Sequence, residues 1–146
     1  MRNPNNIHVL TRAKALVLSL HKSPLRRRGR RSPGLSAQLL RSVSSVQWNI
    51  AEGAALEDVK FATHLETAIA STVEAEHQIE LAHELDMLGP EGDWHLTEIV
   101  EVRKMTIGLK KSVLLRIRAA HAEARGLGNR RGPSNRRGMS ADRRED

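Results

Sequence analysis

Apolar residues recur along this chain at intervals of three and four, the repeat that lays one face of an α-helix against a core. From about Ile7 to His21 the apolar positions are Val9, Leu10, Ala13, Leu16, Val17 and Leu20. Ser23-Pro24 ends that helix, because proline lacks an N–H and disfavours helix in the residue before it. The Arg-rich stretch up to Pro33-Gly34 reads as a loop. A second helix is predicted from Ser36, a candidate N-cap, to about Glu52, with Leu39, Leu40, Val43, Val46 and Ile50 as its stripe and Gly53 as its stop. Leu56 to Leu88 reads as the third and longest helix, about 33 residues and roughly 50 Å long. Val59, Ala62, Leu65, Ile69, Val73, Glu76, Ile79 and His83 trace its leading row, and Phe61, Ala68, Ala75, Ala82 and Leu85 widen the face. Gly89-Pro90-Glu91-Gly92 breaks it. The fourth helix is predicted from about Thr97 to Ala124, on Ile99, Val100, Val102, Met105, Ile107, Leu109, Val113, Leu114 and Ile117.

Four such helices with short connections predict an all-α fold, an up-down antiparallel four-helix bundle over residues 1–125. Residues 126–146, rich in Gly and Arg and poor in apolar side chains, predict a disordered basic tail. The third helix carries eight acids against the single base Lys60, while in the fourth Arg103, Lys104, Lys110, Lys111, Arg116 and Arg118 outnumber Glu98, Glu101 and Glu123. These two should therefore pack antiparallel as neighbours. Exposed ion pairs, at roughly 0–1 kcal/mol each, would set their orientation more than their stability.

Composition narrows the function classes. The 146 residues include no Cys, which rules out a disulfide framework or a thiolate metal site. No apolar run is long enough to span a bilayer and the start lacks a signal-peptide plan, so a soluble, cytoplasmic chain without membrane contact is expected. With two Trp, one Phe and no Tyr, stacking platforms for single-stranded nucleic acid are nearly missing. The net charge of +7 is unevenly placed. Lys22, Arg26, Arg27, Arg28, Arg30 and Arg31 cluster in one segment, and Arg125, Arg130, Arg131, Arg136, Arg137, Arg143 and Arg144 in the tail. The remaining body is mildly acidic. Basic loop and tail segments on an acidic body favour polyanion contact through phosphates rather than base readout.

Candidate chemistry is sparse. Di-iron bundles use Glu-x-x-His on each of two helices. Here Glu74-x-x-His77 and Glu80-x-x-His83 share one helix, and six residues turn it so that the two pairs point roughly 120° apart. They cannot share an ion within one chain, so neither a metal nor another cofactor is expected. No Ser, His and acid grouping has a recognisable local context, and no Gly-rich phosphate loop precedes a helix. The sequence predicts a protein that is not an enzyme.

Asn49-Ile50-Ala51-Glu52-Gly53, then Phe61, Leu65, Ala68, Ser71, Glu74, Glu76, Gln78, Leu81, Ala82, Leu85 and Leu88 at fixed spacing, resembles a family. It is similar to the four-helix-bundle proteins encoded in intervening sequences of bacterial 23S rRNA genes, whose bundle the accessory proteins of diversity-generating retroelements share. The resemblance covers roughly Gly34 to Leu88 and departs at Gln47-Trp48, where the family commonly has Pro-Ser. It implies a homo-oligomer, a ring of five, with a basic surface, working beside a reverse transcriptase on its template RNA. Asn49, Glu52, Ser71 and Glu74, where the likeness is closest, read either as a ligand site or as polar partners that fix the register of two helices. The second reading is favoured, because buried polar groups need partners and can specify one packing. The expected function is a non-enzymatic, homo-oligomeric bundle that binds RNA or DNA. Its phosphate contacts would come from Arg26, Arg27, Arg28, Arg30, Arg31, Arg130, Arg131, Arg136 and Arg137, with the basic face around Lys104, Lys110 and Lys111 as a further surface. The alternative is a protein–protein adaptor with no direct nucleic-acid role.

Overall fold

The computed structural model describes residues 7–129. Its elements are α1 (His8–Lys22), α2 (Leu25–Arg28), a 3-10 turn (Gly29–Arg31), α3 (Pro33–Ala54), α4 (Asp58–Glu84), a second 3-10 turn (Gly89–Glu91) and α5 (Gly92–Asn129). Among the described residues there is no strand. Helix α3 packs on α4, α4 on α5, α5 on α1 and α1 on α3, so the four long helices close into one all-α antiparallel bundle. No helix among the described residues is long and apolar enough to cross a membrane.

The core divides along the bundle axis. One half gathers Leu16, Leu20, Leu25, Leu39, Ile79, Leu88 and Ile99; the other gathers Val9, Val46, Ile50, Phe61, Leu65, Val102 and Val113. Ion pairs tie α4 to α5 in antiparallel register: Asp58 meets Arg116 at 3.2 Å, Glu66 meets Lys110 at 3.6 Å, and Glu76 meets Arg103. The charge asymmetry read from the sequence thus becomes a seam between neighbours. A stronger link joins α1 to α5, where both guanidinium arms of Arg12 donate to the carboxylate of Glu98 at 2.7 Å. Glu98 is buried, and this bidentate bond holds the Arg12 guanidinium firmly in its charged form.

The boundaries of α3 and the end of α4 differ from the periodic reading for local reasons. Helix α3 begins at Pro33, not Ser36, because proline is well placed in a first turn where its missing N–H is no loss. Ser36 instead sends its hydroxyl to the Leu25 carbonyl at 3.4 Å. Gly53 does not stop α3, which runs on to Ala54. A Cβ there would stand 2.7 Å from the His64 Cβ and from the Phe61 ring, so the glycine permits close approach of α4. Helix α4 has 27 residues, shorter than the predicted span. Asp86 adopts the left-handed φ of 53° and folds Met87 and Leu88 back into the core.

The core row of α4 is Phe61, Ala62, Leu65, Ala68, Thr72, Ala75, Ile79 and Ala82, the widening row more than the leading one. Val59 and Val73 of the leading row are 57% and 42% exposed. Alanines allow α3 and α5 to approach closely, and apolar residues on both faces hide the period that decides between rows.

Helix α5 is the longest element, 38 residues or about 57 Å, and starts five residues before the predicted onset. Its inward seam of His95, Ile99, Val102, Thr106 and Val113 is buried. The same face continues through Ile117, Ala120, Ala124 and Leu127, and from Leu114 to Gly128 every residue except half-buried Ile117 is exposed. The helix also continues through Gly126 and Gly128, where a tail was predicted to begin. The predicted disorder of residues 130–146 lies outside the described residues.

Candidate nucleic-acid interface

The Arg-rich segment is folded rather than a loop. Leu25 is fully buried and pins α2 to the core, so its short helix turns Arg26, Arg27 and Arg28 outward. Gly29 follows, held so close to α3 that a Cβ would collide with the Ser36 hydroxyl at 1.9 Å. Arg30 and Arg31 lie in the 3-10 turn, and the Arg30 side chain is exposed. Arg28 donates to the Asp86 carbonyl at 3.0 Å and to its carboxylate at 3.1 Å, fastening the segment to the α4 terminus. Arg27, Arg28, Arg30, Leu85 and Asp86 surround a concavity of about 580 Å³. The sequence reading missed this because a helix of four residues leaves no periodic signal; buried Leu25, isolated among arginines, is the trace it does leave.

The other predicted cations divide. Lys110 pairs with Glu66 at 3.6 Å and Lys104 with Glu101 at 3.1 Å, which offsets the basic face of α5. Lys111 is exposed. Arg130, Arg131, Arg136 and Arg137 lie outside the described residues. The two ends of the basic sequence are also far apart: the Arg corner sits where α4 ends, while α5 carries the chain away from it.

Of the four residues read as a polar network, three are brought together. Ser71 lies 2.9 Å from the Ser45 hydroxyl, and Asn49 donates to the Ser45 carbonyl at 2.9 Å. The Asn49 side-chain oxygen lies 3.1 Å from His64 Nδ1, which is 3.9 Å from Glu52. Ser45 and His64, absent from the prediction, complete this chain across α3 and α4. Glu74 is not in it: it is exposed and accepts from Gln78 one turn along α4. The two Glu-x-x-His pairs do not converge as one set of four: His77 lies 3.5 Å from Glu80 of the other pair, while His83 turns to Asp93 at 3.1 Å. Among the described residues no three histidines or carboxylates converge as metal ligands.

The fold does assemble one serine, histidine and acid that carry no motif along the chain. Ser19 Oγ donates to Glu91 at 3.2 Å and lies 2.9 Å from Nε2 of fully buried His95. A hydroxyl has one proton. With that proton on Glu91, His95 Nε2 must carry hydrogen and donate to Ser19, leaving Nδ1, which has no partner among the described residues, as a bare acceptor. The imidazole is then a donor to the serine rather than a base for it. Burial pushes the His95 imidazole below its ordinary value of 6.5, which favours this neutral form.

The fold and the ordered polar set agree with a match that covers residues 5–108, to the family model for 23S rRNA-intervening sequence proteins. The chain belongs to this family. A solved structure of a protein of unknown function from the S23 ribosomal protein family of Bacteroides thetaiotaomicron VPI-5482 is similar, with a TM-score of 0.61 at 21% identity. That likeness covers 70% of this chain and 98% of the other and speaks for the fold. No curated protein matches the chain. The family match ends inside α5, so the outer part of that helix and the Arg-rich tail extend beyond it.

Proposed function

We propose that this chain is a non-enzymatic helical bundle that binds RNA or DNA through backbone phosphates. The observation that carries the reading is the Arg corner. Arg26, Arg27, Arg28 and Arg30 are exposed on a segment already ordered by Leu25, Gly29 and the Arg28–Asp86 bond, so less conformational entropy is lost when phosphates dock there. Guanidinium groups suit phosphate by planar, two-pronged donation. The family name points to an rRNA gene context, and the resemblance adds a homopentamer and a reverse-transcriptase partner in the cytoplasm as parts of the same proposal. The proton order at Ser19, His95 and Glu91 supports the non-enzymatic part.

The test is a fluorescence anisotropy titration of labelled RNA and DNA duplexes of unrelated sequence at low salt. Comparable affinities for all of them, lost together when Arg26, Arg27 and Arg30 become Ser, are expected. No binding at low salt, or strong preference for one sequence, would overturn the proposal.

A second reading, a protein–protein adaptor, draws on the outward face of α4. Val59, Val73, Leu81 and Leu85 are exposed there, an unusual load for a solvent-facing helix. Light scattering and duplex binding together separate the readings: a parent that binds no duplex at low salt, and whose assembly falls when these four residues are changed to Ser, would assign the chain to the adaptor reading.

A further inference from the structure

We infer that the groove between α1 and the start of α5, walled by Trp94, receives one unpaired nucleobase of a nucleic acid whose phosphates lie at the Arg corner. This rests on the phosphate-binding reading above and adds a base-stacking site to it.

Two concavities of about 600 Å³ and 390 Å³ share Ser19, Pro90 and Glu91 and so form one groove, with Leu18, Pro24 and Trp94 among its walls. Its size is that of a small-ligand site. Trp94 is 44% exposed and Leu18 47%, a concentrated apolar surface beside polar Ser19 and Glu91. The indole is steadied from below. It meets the fully buried His95 ring edge to face, with centroids 5.3 Å apart, and His95 is itself held by Ser19 at 2.9 Å. A ring supported in this way loses little freedom when a base stacks on it.

The groove adjoins the arginines. A Cβ on Gly89 would stand 3.1 Å from the Pro24 ring, so the connection after α1 packs on the connection after α4. Helix α2, with Arg26 and Arg27, starts directly after Pro24, and Lys22 lines the groove itself. A phosphate drawn to these cations carries its base within reach of Trp94. Bases inside a duplex are stacked on one another, so the base that enters is an unpaired one, at a strand end or a bulge.

Charge and hydrogen bonding choose this occupant over a protein side chain. The exposed Glu91 carboxylate accepts from Ser19 at 3.2 Å and keeps lone pairs for further donors. Base edges supply such N–H donors, and carboxylates read them in nucleic-acid complexes. An aliphatic side chain would cover Trp94 but strip water from Glu91 and offer no donor in return. A basic side chain would suit Trp94 and Glu91, yet it would face Lys22 in the groove and Arg26 and Arg27 on the adjoining helix. Two other acids of this end are already engaged, Asp86 by Arg28 and Asp93 by His83. A nucleotide reconciles the two halves of the site, with an anionic phosphate for the cations and a neutral ring bearing N–H donors for Trp94 and Glu91.

The experiment compares a labelled blunt RNA duplex with the same duplex carrying one unpaired adenosine at an end, each titrated with the full-length protein at low salt. The unpaired adenosine is expected to tighten binding by about 5- to 150-fold, the range that one base stacked on an aromatic ring supplies. Trp94→Ala should bring the two affinities together. Trp94→Phe keeps a ring and should restore most of the difference. In a Trp48→Phe protein, Trp94 is the one remaining tryptophan, and its emission should be quenched by the overhanging duplex and not by the blunt one. Equal affinities in the parent, or a difference that survives Trp94→Ala, overturn the stacking site and leave the phosphate-binding reading standing. Equal affinities together with a smaller particle by light scattering in Trp94→Ala would overturn it in favour of protein contact at this groove. A parent that binds neither duplex sinks the phosphate-binding reading itself, and the inference with it.

Discussion

The two ends of this bundle carry similar charges on very different foundations. At one end, arginines ride on a short helix whose fully buried leucine and tightly packed glycine belong to the core. At the other, they ride on the last turns of α5, where nothing else in the described chain covers the inward face. The difference teaches where order comes from. The Arg corner is ordered by tertiary packing, so its stability is that of the bundle. The outer α5 is ordered by helix propensity, supplied by Ala119, Ala120, Ala122 and Ala124, and a short uncovered helix of this kind is marginal in water.

The largest expected effect breaks this contrast at its root. Changing buried Leu25 to Ala should cost about 2–5 kcal/mol, because it removes a side chain from the core and leaves a cavity beneath α2. Leu127→Ala, at a 66% exposed position on the far end, should change stability by less than about 0.5 kcal/mol. Urea unfolding of both variants measures the gap; equal losses would show that the two ends are equally tied to the core.

Next in size is Gly53→Ala. The new methyl would press on His64 and Phe61 at 2.7 Å, and overpacking of this kind costs typically about 1–3 kcal/mol. The same substitution at Gly126, where a Cβ meets nothing within 4 Å, should leave global unfolding unchanged and raise local helicity. Amide hydrogen exchange across residues 114–129 reads that local gain, and slower exchange is expected there alone.

A smaller effect separates the corner end by pH. His95 has its folded pKa lowered below the ordinary 6.5 by burial, so as pH falls below that value the unfolded chain takes up a proton that the folded chain resists. Its stabilising contribution is complete above the ordinary value and is lost progressively on acidification toward the folded one. Thermal unfolding should therefore show a fall in Tm on acidification through this window, and His95→Gln should flatten it. An unchanged slope in the variant would remove His95 as its source.

The regular parts of the fold were legible in the sequence, and the site was legible only in part. The stripe of α1 names all of its buried residues, because that helix is apolar on one side; the stripe of α3 names Leu39, Val43, Val46 and Ile50 and misses Ser42, Ser44, Gly53 and Ala54, whose small side chains are buried by close packing rather than by apolar character. The row of α4 was not, since Val59, Val73, Leu81 and Leu85 on its outer face blur the period. Asn49, Glu52 and Ser71 were recognisable by spacing, yet Ser45 and His64, which connect them, carry no motif. The Arg corner was visible as charge and misread as a loop, because the burial of Leu25 and the closeness of Gly29 to Ser36 are tertiary facts. Ser19, His95 and Glu91 meet only through packing between α1 and α5.

The central claim is that the Arg corner binds phosphates, and the salt dependence of duplex binding tests it most directly. Log affinity falls linearly with log salt, with a slope of roughly −0.9 per phosphate neutralised on B-DNA. If Arg26, Arg27 and Arg30 each engage a phosphate, changing all three to Ser should reduce the magnitude of that slope by about 2–3 units. A slope identical to that of the parent, in a variant whose helical content is unchanged, would contradict the account.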